Sequence, residues 1–212
     1  MRSILEDAIE HMHQSKLPDG GKADKKDLTG HYVRNIVNNI CSNNAVSYLE
    51  IGLYRGGIFS AALHENSIYA VGVDNWSQNW TGASSRDVFF DRINPLMGNN
   101  DVSVIEADCW SDGLLDNMCF NTYMFDGPHG YQDQYDALTR FVDKMEDEFI
   151  YMVDDYDKNQ SPEVVEAVQE SIKDLDLDIV FEYYAPKGDG FHQGVYFSCL
   201  RKNNGCINSA DR

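Results

Sequence analysis

The chain has 212 residues, 42% apolar and 12% aromatic, which suits one globular domain with a full core. Lys and Arg total 17 against 35 Asp and Glu, a formal charge of −18. A surface that negative repels phosphate backbones and anionic lipid, which argues against nucleic acid or a membrane as partner and favours a neutral or cationic small molecule. No run approaches the roughly 18 consecutive apolar residues of a membrane span. The start, Met1-Arg2-Ser3-Ile4-Leu5-Glu6-Asp7, is too acidic for a secretory signal. Cysteines at 41, 109, 119, 199 and 206 form an odd set without Cys-x-x-Cys spacing. They read as reduced thiols in a cytoplasmic protein.

Residues 1–45 carry two helical patterns, Ile4, Leu5, Ala8, Ile9, Met12 and Tyr32, Val33, Ile36, Val37, Ile40, parted by the turn-rich stretch 17–22. They are expected to form a lid, a subunit contact in a homo-oligomer, or plain packing on the core. From 46 onward strands and helices alternate. Val46–Ile51 is the first strand and Ile58–Leu63 opens a helix; 68–73 is a strand ending at Asp74, and 102–106 a third. Residues 75–100 read as a loop whose Trp76, Trp80, Phe89 and Phe90 either line an apolar pocket or pack. Thr122–Phe125 is a strand ending at Asp126. Tyr131, Tyr135, Leu138, Phe141, Val142 and Met145 predict an amphipathic helix through 145. Phe149–Val153 ends at Asp154-Asp155, and Ser161-Pro162-Glu163 opens a serine-capped helix. Ile179–Tyr184 and Gly194–Leu200 close the chain as an antiparallel pair. The expected fold is α/β: a Rossmann-like, doubly wound sheet of seven strands, mostly parallel with an antiparallel last strand, plus N-terminal helices. The expected layout is an N-terminal helical segment (1–45), one catalytic domain (46–203) and a tail (204–212).

The segment Tyr48-Leu49-Glu50-Ile51-Gly52-Leu53-Tyr54-Arg55-Gly56-Gly57-Ile58 is strand, glycine turn, helix. A dinucleotide fingerprint needs glycine where Tyr54 stands, so a nicotinamide enzyme is disfavoured. Glu-x-Gly-x-x-x-Gly instead resembles motif I of class I S-adenosylmethionine-dependent methyltransferases. Val71-Gly72-Val73-Asp74, Phe125-Asp126-Gly127-Pro128-His129-Gly130-Tyr131 and Val153-Asp154-Asp155-Tyr156 follow in order. Together, over about residues 46–200, they look like the small-molecule and sugar O-methyltransferases related to macrocin O-methyltransferase.

That resemblance implies an S-adenosylmethionine-dependent enzyme that methylates a hydroxyl on a small acceptor. Glu50 with the turn residues Gly52, Tyr54, Gly56 and Gly57 would hold the amino-acid head of the cofactor. Asp74, an acceptor-only carboxylate, would take both ribose hydroxyls. Asp108, Cys109 and Trp110 would meet the adenine, with Trp110 or Trp76 over its face; Asp126 would close the cofactor site. Asp126, Asp154 and Asp155 fall at neighbouring strand tips, where oxygen-only ligands suit Mg²⁺ or Ca²⁺ rather than zinc. In the resembled enzymes such a cation binds the acceptor hydroxyls. His129, three residues past Asp126, has an imidazole suited to taking the hydroxyl proton, with Asp126 beside it; His192 is the alternative. Pro128 departs from the Asp-Gly-Asp those enzymes commonly carry, removing one possible carboxylate and stiffening the loop. The competing expectations are metal-independent methylation of nitrogen or a carboxylate, and a catalytically idle module of the same fold.

Overall fold

The computed structural model describes residues 1–22, 24–78, 84–188 and 190–203. Trp80, Cys206 and the tail 204–212 lie outside the described residues. Seven strands form one sheet: β1 (Ser47–Ile51), β2 (Tyr69–Asp74), β3 (Asp101–Glu106), β4 (Phe120–Phe125), β5 (Met145–Asp154), β6 (Leu177–Ala185) and β7 (Val195–Lys202). Their order is β3-β2-β1-β4-β5-β7-β6. β7 runs antiparallel to both of its neighbours, while β1 to β5 are parallel. The direction of strand order reverses at β1, so the crevice at the carboxyl ends of β1, β2 and β4 is where this architecture places ligands.

Strand alternation distributes the core. Tyr48, Ala70, Met124, Ile150 and Phe197 face one layer. Leu49, Val71, Tyr123, Tyr151 and Tyr196 face the other. The first layer holds α1 (Arg2–Glu10), α2 (His31–Ile40), α3 (Gly57–Leu63) and α4 (Ser85–Ile93). The second holds α5 (Tyr131–Thr139) and α6 (Pro162–Asp174), packed on one another. All six residues of β4 are buried, as a central strand covered on both faces requires.

Three local expectations are corrected. The helix after β4 stops at Thr139, and β5 begins at Met145 rather than Phe149. Phe141, Val142 and Met145 are indeed buried with the α5 core, but from a short turn and a strand. Helical spacing arose because both paths return side chains to one layer. Ser161 makes no side-chain cap; its amide donates to the Asp157 carbonyl (2.8 Å), and the Asp157 carboxylate collects the Asn159 and Gln160 amides instead. Finally, 75–100 is not all loop. α4 starts at the Ser84 hydroxyl, which accepts from the Asp87 amide (3.2 Å), and it buries Phe89 and Ile93 one turn apart.

The ends of the described chain are tied by Glu148. It accepts from the Met1 amino group (2.8 Å) and from Arg201 (2.7 Å), and these partners depress its pKa to about 2. A group depressed in the folded state stabilises the fold above its unfolded value and loses that contribution as pH falls through the folded one. Glu148→Gln is therefore expected to cost about 1 kcal/mol at neutral pH, after allowance for solvent screening. The difference from the parent should vanish in melts taken between pH 4.5 and 2. A constant gap across that window would show that packing, not charge, is lost.

Candidate active site

Gly52 follows β1 with φ +91°, and a Cβ there would lie 2.0 Å from the Asp126 backbone oxygen. The glycine thus lets the turn after β1 rest directly on the turn after β4, whose Asp126 amide donates to the Ile51 carbonyl (2.8 Å). At Gly56, φ +74°, a Cβ would strike the Phe89 ring at 2.8 Å. The space beside these two glycines is taken by the protein's own backbone and by α4. Gly52→Ala combines left-handed strain with a backbone clash, so a loss of about 3 kcal/mol or more is expected in denaturant titration.

The turn is held from below by Asp74. One carboxylate oxygen accepts from the Leu53 and Tyr54 amides (both 2.8 Å), the other from the Trp76 amide (2.6 Å). Trp76 then folds back: its indole N–H donates to the Tyr54 carbonyl (2.8 Å) and its ring packs on Phe89 and Phe90. It is a clamp on the turn rather than a free aromatic platform, another correction. Asp74 remains partly exposed at the crevice; three backbone amides occupy three of its roughly four lone-pair positions and leave one.

Glu50 points into the first layer beneath α3 and is only 1% exposed. The Tyr48 hydroxyl, two residues earlier on the same face, donates to it at 2.5 Å. Burial drives its pKa well up; Asp126 and Asp74 push further in that direction, while Tyr48 and the Phe59 amide oppose. Pairing of Ile51 with both Val73 and Phe125 sets Asp74 and Asp126 at the strand ends on either side of the strand that carries Glu50. Asp108 is exposed and accepts from the Trp110 amide (3.0 Å) in a local turn. Cys109 beside it has its thiol pushed up to about 12, first by burial, then by Asp108 and, more weakly, Asp133 and Asp74, so this segment borders the same crevice. Trp110 packs against Phe125 and Phe141 with the Arg140 guanidinium over its ring (5.4 Å).

At the tips of β4 and β5 the other expected residues meet. His129 Nδ1 lies 3.4 Å from Asp155 and its Nε2 3.8 Å from Asp126. That Nε2 is buried without a hydrogen-bond partner, as is Asp154 Oδ1. Burial lowers the His129 pKa, yet Asp126, Asp155 and Asp133 outweigh it and leave the imidazole above its ordinary value. Asp154, 4% exposed, is driven well up by burial and by Asp126 and Asp155. Asp126 is also raised, by burial first, with His129 opposing. Asp155 sits at φ +54°, a left-handed conformation that turns its carboxylate toward the imidazole. Sequence reasoning missed Tyr48 and Asp133. Tyr48 shares a strand face with Glu50, a period-2 signal that was available; Asp133 reaches the site only through the start of α5.

The donors do not fit a cation cage. Among the described residues no three carboxylate, imidazole or thiol groups are arranged to hold a metal ion. Asp155 is turned to His129, and Asp154 lies against Asp126. The Mg²⁺ or Ca²⁺ centre expected at Asp126, Asp154 and Asp155 is thus not supported.

No family model matches the chain, and no curated protein matches it significantly in sequence. Its solved structural neighbours are methyltransferases. SMU.776, assigned as a methyltransferase and solved with S-adenosylhomocysteine, aligns with TM-score 0.57 at 13% identity over 81% of this chain. The chain spans about half, 48%, of that protein's length. The O-methyltransferase NovP aligns with TM-score 0.53 at 20% identity, over 78% of this chain and 77% of NovP. PH1948 from Pyrococcus horikoshii, assigned as an RNA methyltransferase, aligns with TM-score 0.55 at 14% identity over 96% and 97%. At such identities the likeness is one of fold. The fold is the Rossmann-like one of class I S-adenosylmethionine-dependent methyltransferases. No helix among the described residues is long and apolar enough to cross a membrane.

Proposed function

We propose that the protein is an enzyme that transfers a methyl group from S-adenosylmethionine to a hydroxyl on a small molecule. One observation carries the reading: the strand register brings Glu50, Asp74 and Asp126 to the carboxyl ends of adjoining strands at the topological switch point, where a cationic adenosyl donor would find compensating charge. Asp74 would take one ribose hydroxyl with the lone pair its backbone partners leave free. Glu50 would face the donor's positive head, and that charge would favour its ionised form. The Asp108–Trp110 segment would border the adenine. Bound there, S-adenosylmethionine supplies an electrophilic methyl carbon and a sulfur leaving group.

His129 Nε2 would accept the proton of the attacking hydroxyl, while Asp155 on Nδ1 holds the ring and Asp126 stabilises the imidazolium that forms. The role for His129 rests on that unpartnered buried nitrogen. A sugar-like acceptor is supported by the likeness to the macrocin-related sequence pattern and by the O-methyltransferase among the fold neighbours. Some fold neighbours are assigned to RNA, but a chain of charge −18 is a poor match for a polyphosphate. Calorimetric titration with S-adenosylhomocysteine tests the cofactor assignment; absence of heat and of a thermal shift would defeat it. Turnover of S-adenosylmethionine against panels of hydroxyl, amine and carboxylate acceptors tests the reaction. Faster turnover with amines or acids, or full suppression by a chelator, would displace the metal-free hydroxyl chemistry.

A further inference from the structure

The Asp27 carboxylate, with its side chain only 2% exposed, is met by two arginines from different elements: Arg55 Nε from the glycine turn (3.4 Å) and Arg92 Nη1 from α4 (2.9 Å). Arg34 of α2 approaches the same place. It is anchored by backbone carbonyls of Gly21, Lys22 and Gly57 (2.7 to 3.0 Å), and no carboxylate of the described residues lies within ion-pair distance. Asp27, Arg34 and Arg92 line one cleft of about 280 Å³ between α2, α3 and α4. Burial lowers the Arg34 pKa, and the Arg92 charge lowers it further while Asp27 opposes. Lys22 reaches the cleft from the N-terminal loop, Ser60 from α3 and His64 from just past its end.

The charge count does not balance. Lys22, Arg34 and Arg92 face Asp24 and Asp27, and both of those acids also serve Arg55. In a chain with twice as many acids as bases, three facing cations that share their only carboxylates with a fourth leave a local excess of positive charge. Guanidinium and ammonium donors grouped beside a hydroxyl and an imidazole are the chemistry that recognises a phosphate. The volume falls just under the ~300 Å³ at which small-molecule pockets begin, which limits the occupant to a small anion.

We propose that this cleft binds a phosphate-bearing small anion, separately from the crevice at the strand ends. Because Asp27 also holds Arg55 of the glycine turn, an anion there would draw Arg92 and Arg34 toward itself on the outer side of the same turn. The test is calorimetric titration of the whole protein with inorganic phosphate and, separately, ribose 5-phosphate, in chloride buffer at fixed ionic strength. Saturable one-to-one binding is expected. Arg92→Gln should weaken it about tenfold, as loss of one charge-assisted contact predicts, and Lys22→Gln to a smaller extent. Lys22 is exposed and makes no ion pair among the described residues, so its variant folds irrespective of how Arg92→Gln behaves. Tighter binding of the sugar phosphate would assign the site to a phosphorylated metabolite, and equal binding to the free ion. No saturable binding, or affinity untouched by Lys22→Gln and Arg92→Gln, would overturn the proposal. Titration with S-adenosylhomocysteine reads the strand-end crevice independently, so either site can fail without the other.

Discussion

Replacing His129 with alanine is expected to slow methyl transfer by about 10²–10⁴-fold, the usual contribution of a positioned general base. Binding of S-adenosylhomocysteine should be unchanged, because the imidazole faces Asp126 and Asp155 rather than the turn. The pH profile carries further information. A base must be neutral to act, and His129 is held above 6.5 by its acidic neighbours against the opposing effect of burial. The rate should therefore rise with pH along a limb centred above that value. Asp155→Asn removes one of those acids and should shift the limb to lower pH, even where it also lowers the maximum rate. A His129→Ala variant with near-parental turnover would assign proton removal elsewhere, with His192 on the closing hairpin as the next candidate.

Asp74→Ala should act on cofactor binding and on the fold together. Losing one charge-assisted hydrogen bond to a ribose hydroxyl predicts an affinity drop of about tenfold or more. The same change strips an acceptor from the amides of Leu53, Tyr54 and Trp76. Partly buried amides left without partners predict a further loss of about 2 kcal/mol in stability. Asp74→Asn separates the two effects in part: its amide oxygen can still accept from Leu53 and Tyr54, whereas its NH₂ can accept neither from the Trp76 amide nor from a ribose hydroxyl. Its stability should lie between those of Asp74→Ala and the parent while its affinity stays low, read by calorimetry beside thermal melts. Equal affinity in Asp74→Asn and the parent would remove Asp74 from the cofactor site.

Local patterns announced most of the architecture. Apolar runs marked all seven strands, and most plainly the central ones, because a strand buried on both faces has no polar face to disguise it. The acids at their ends were visible because a parallel sheet puts every strand terminus on one edge. α4 escaped notice for the opposite reason: its two buried apolar residues, Phe89 and Ile93, make a stripe too narrow to stand out among Arg86, Asp87, Asp91 and Arg92. The overlong α5 erred because Phe141, Val142 and Met145 enter one core by two kinds of backbone, a convergence that periodicity cannot distinguish.

The linear chain was sufficient to specify the strand-helix alternation, the glycine turn and the row of terminal acids, since each depends on residues close together in sequence. The purpose of each glycine and acid emerged only in three dimensions. Gly52 makes space for the Asp126 backbone, Asp74 ties down the turn beside it, and Asp155 turns to His129. The gathering of Arg34, Arg55 and Arg92 around Asp27 is of the same kind. Four elements distant in sequence create it, and charge acts through space, so no spacing of letters could have disclosed that cluster.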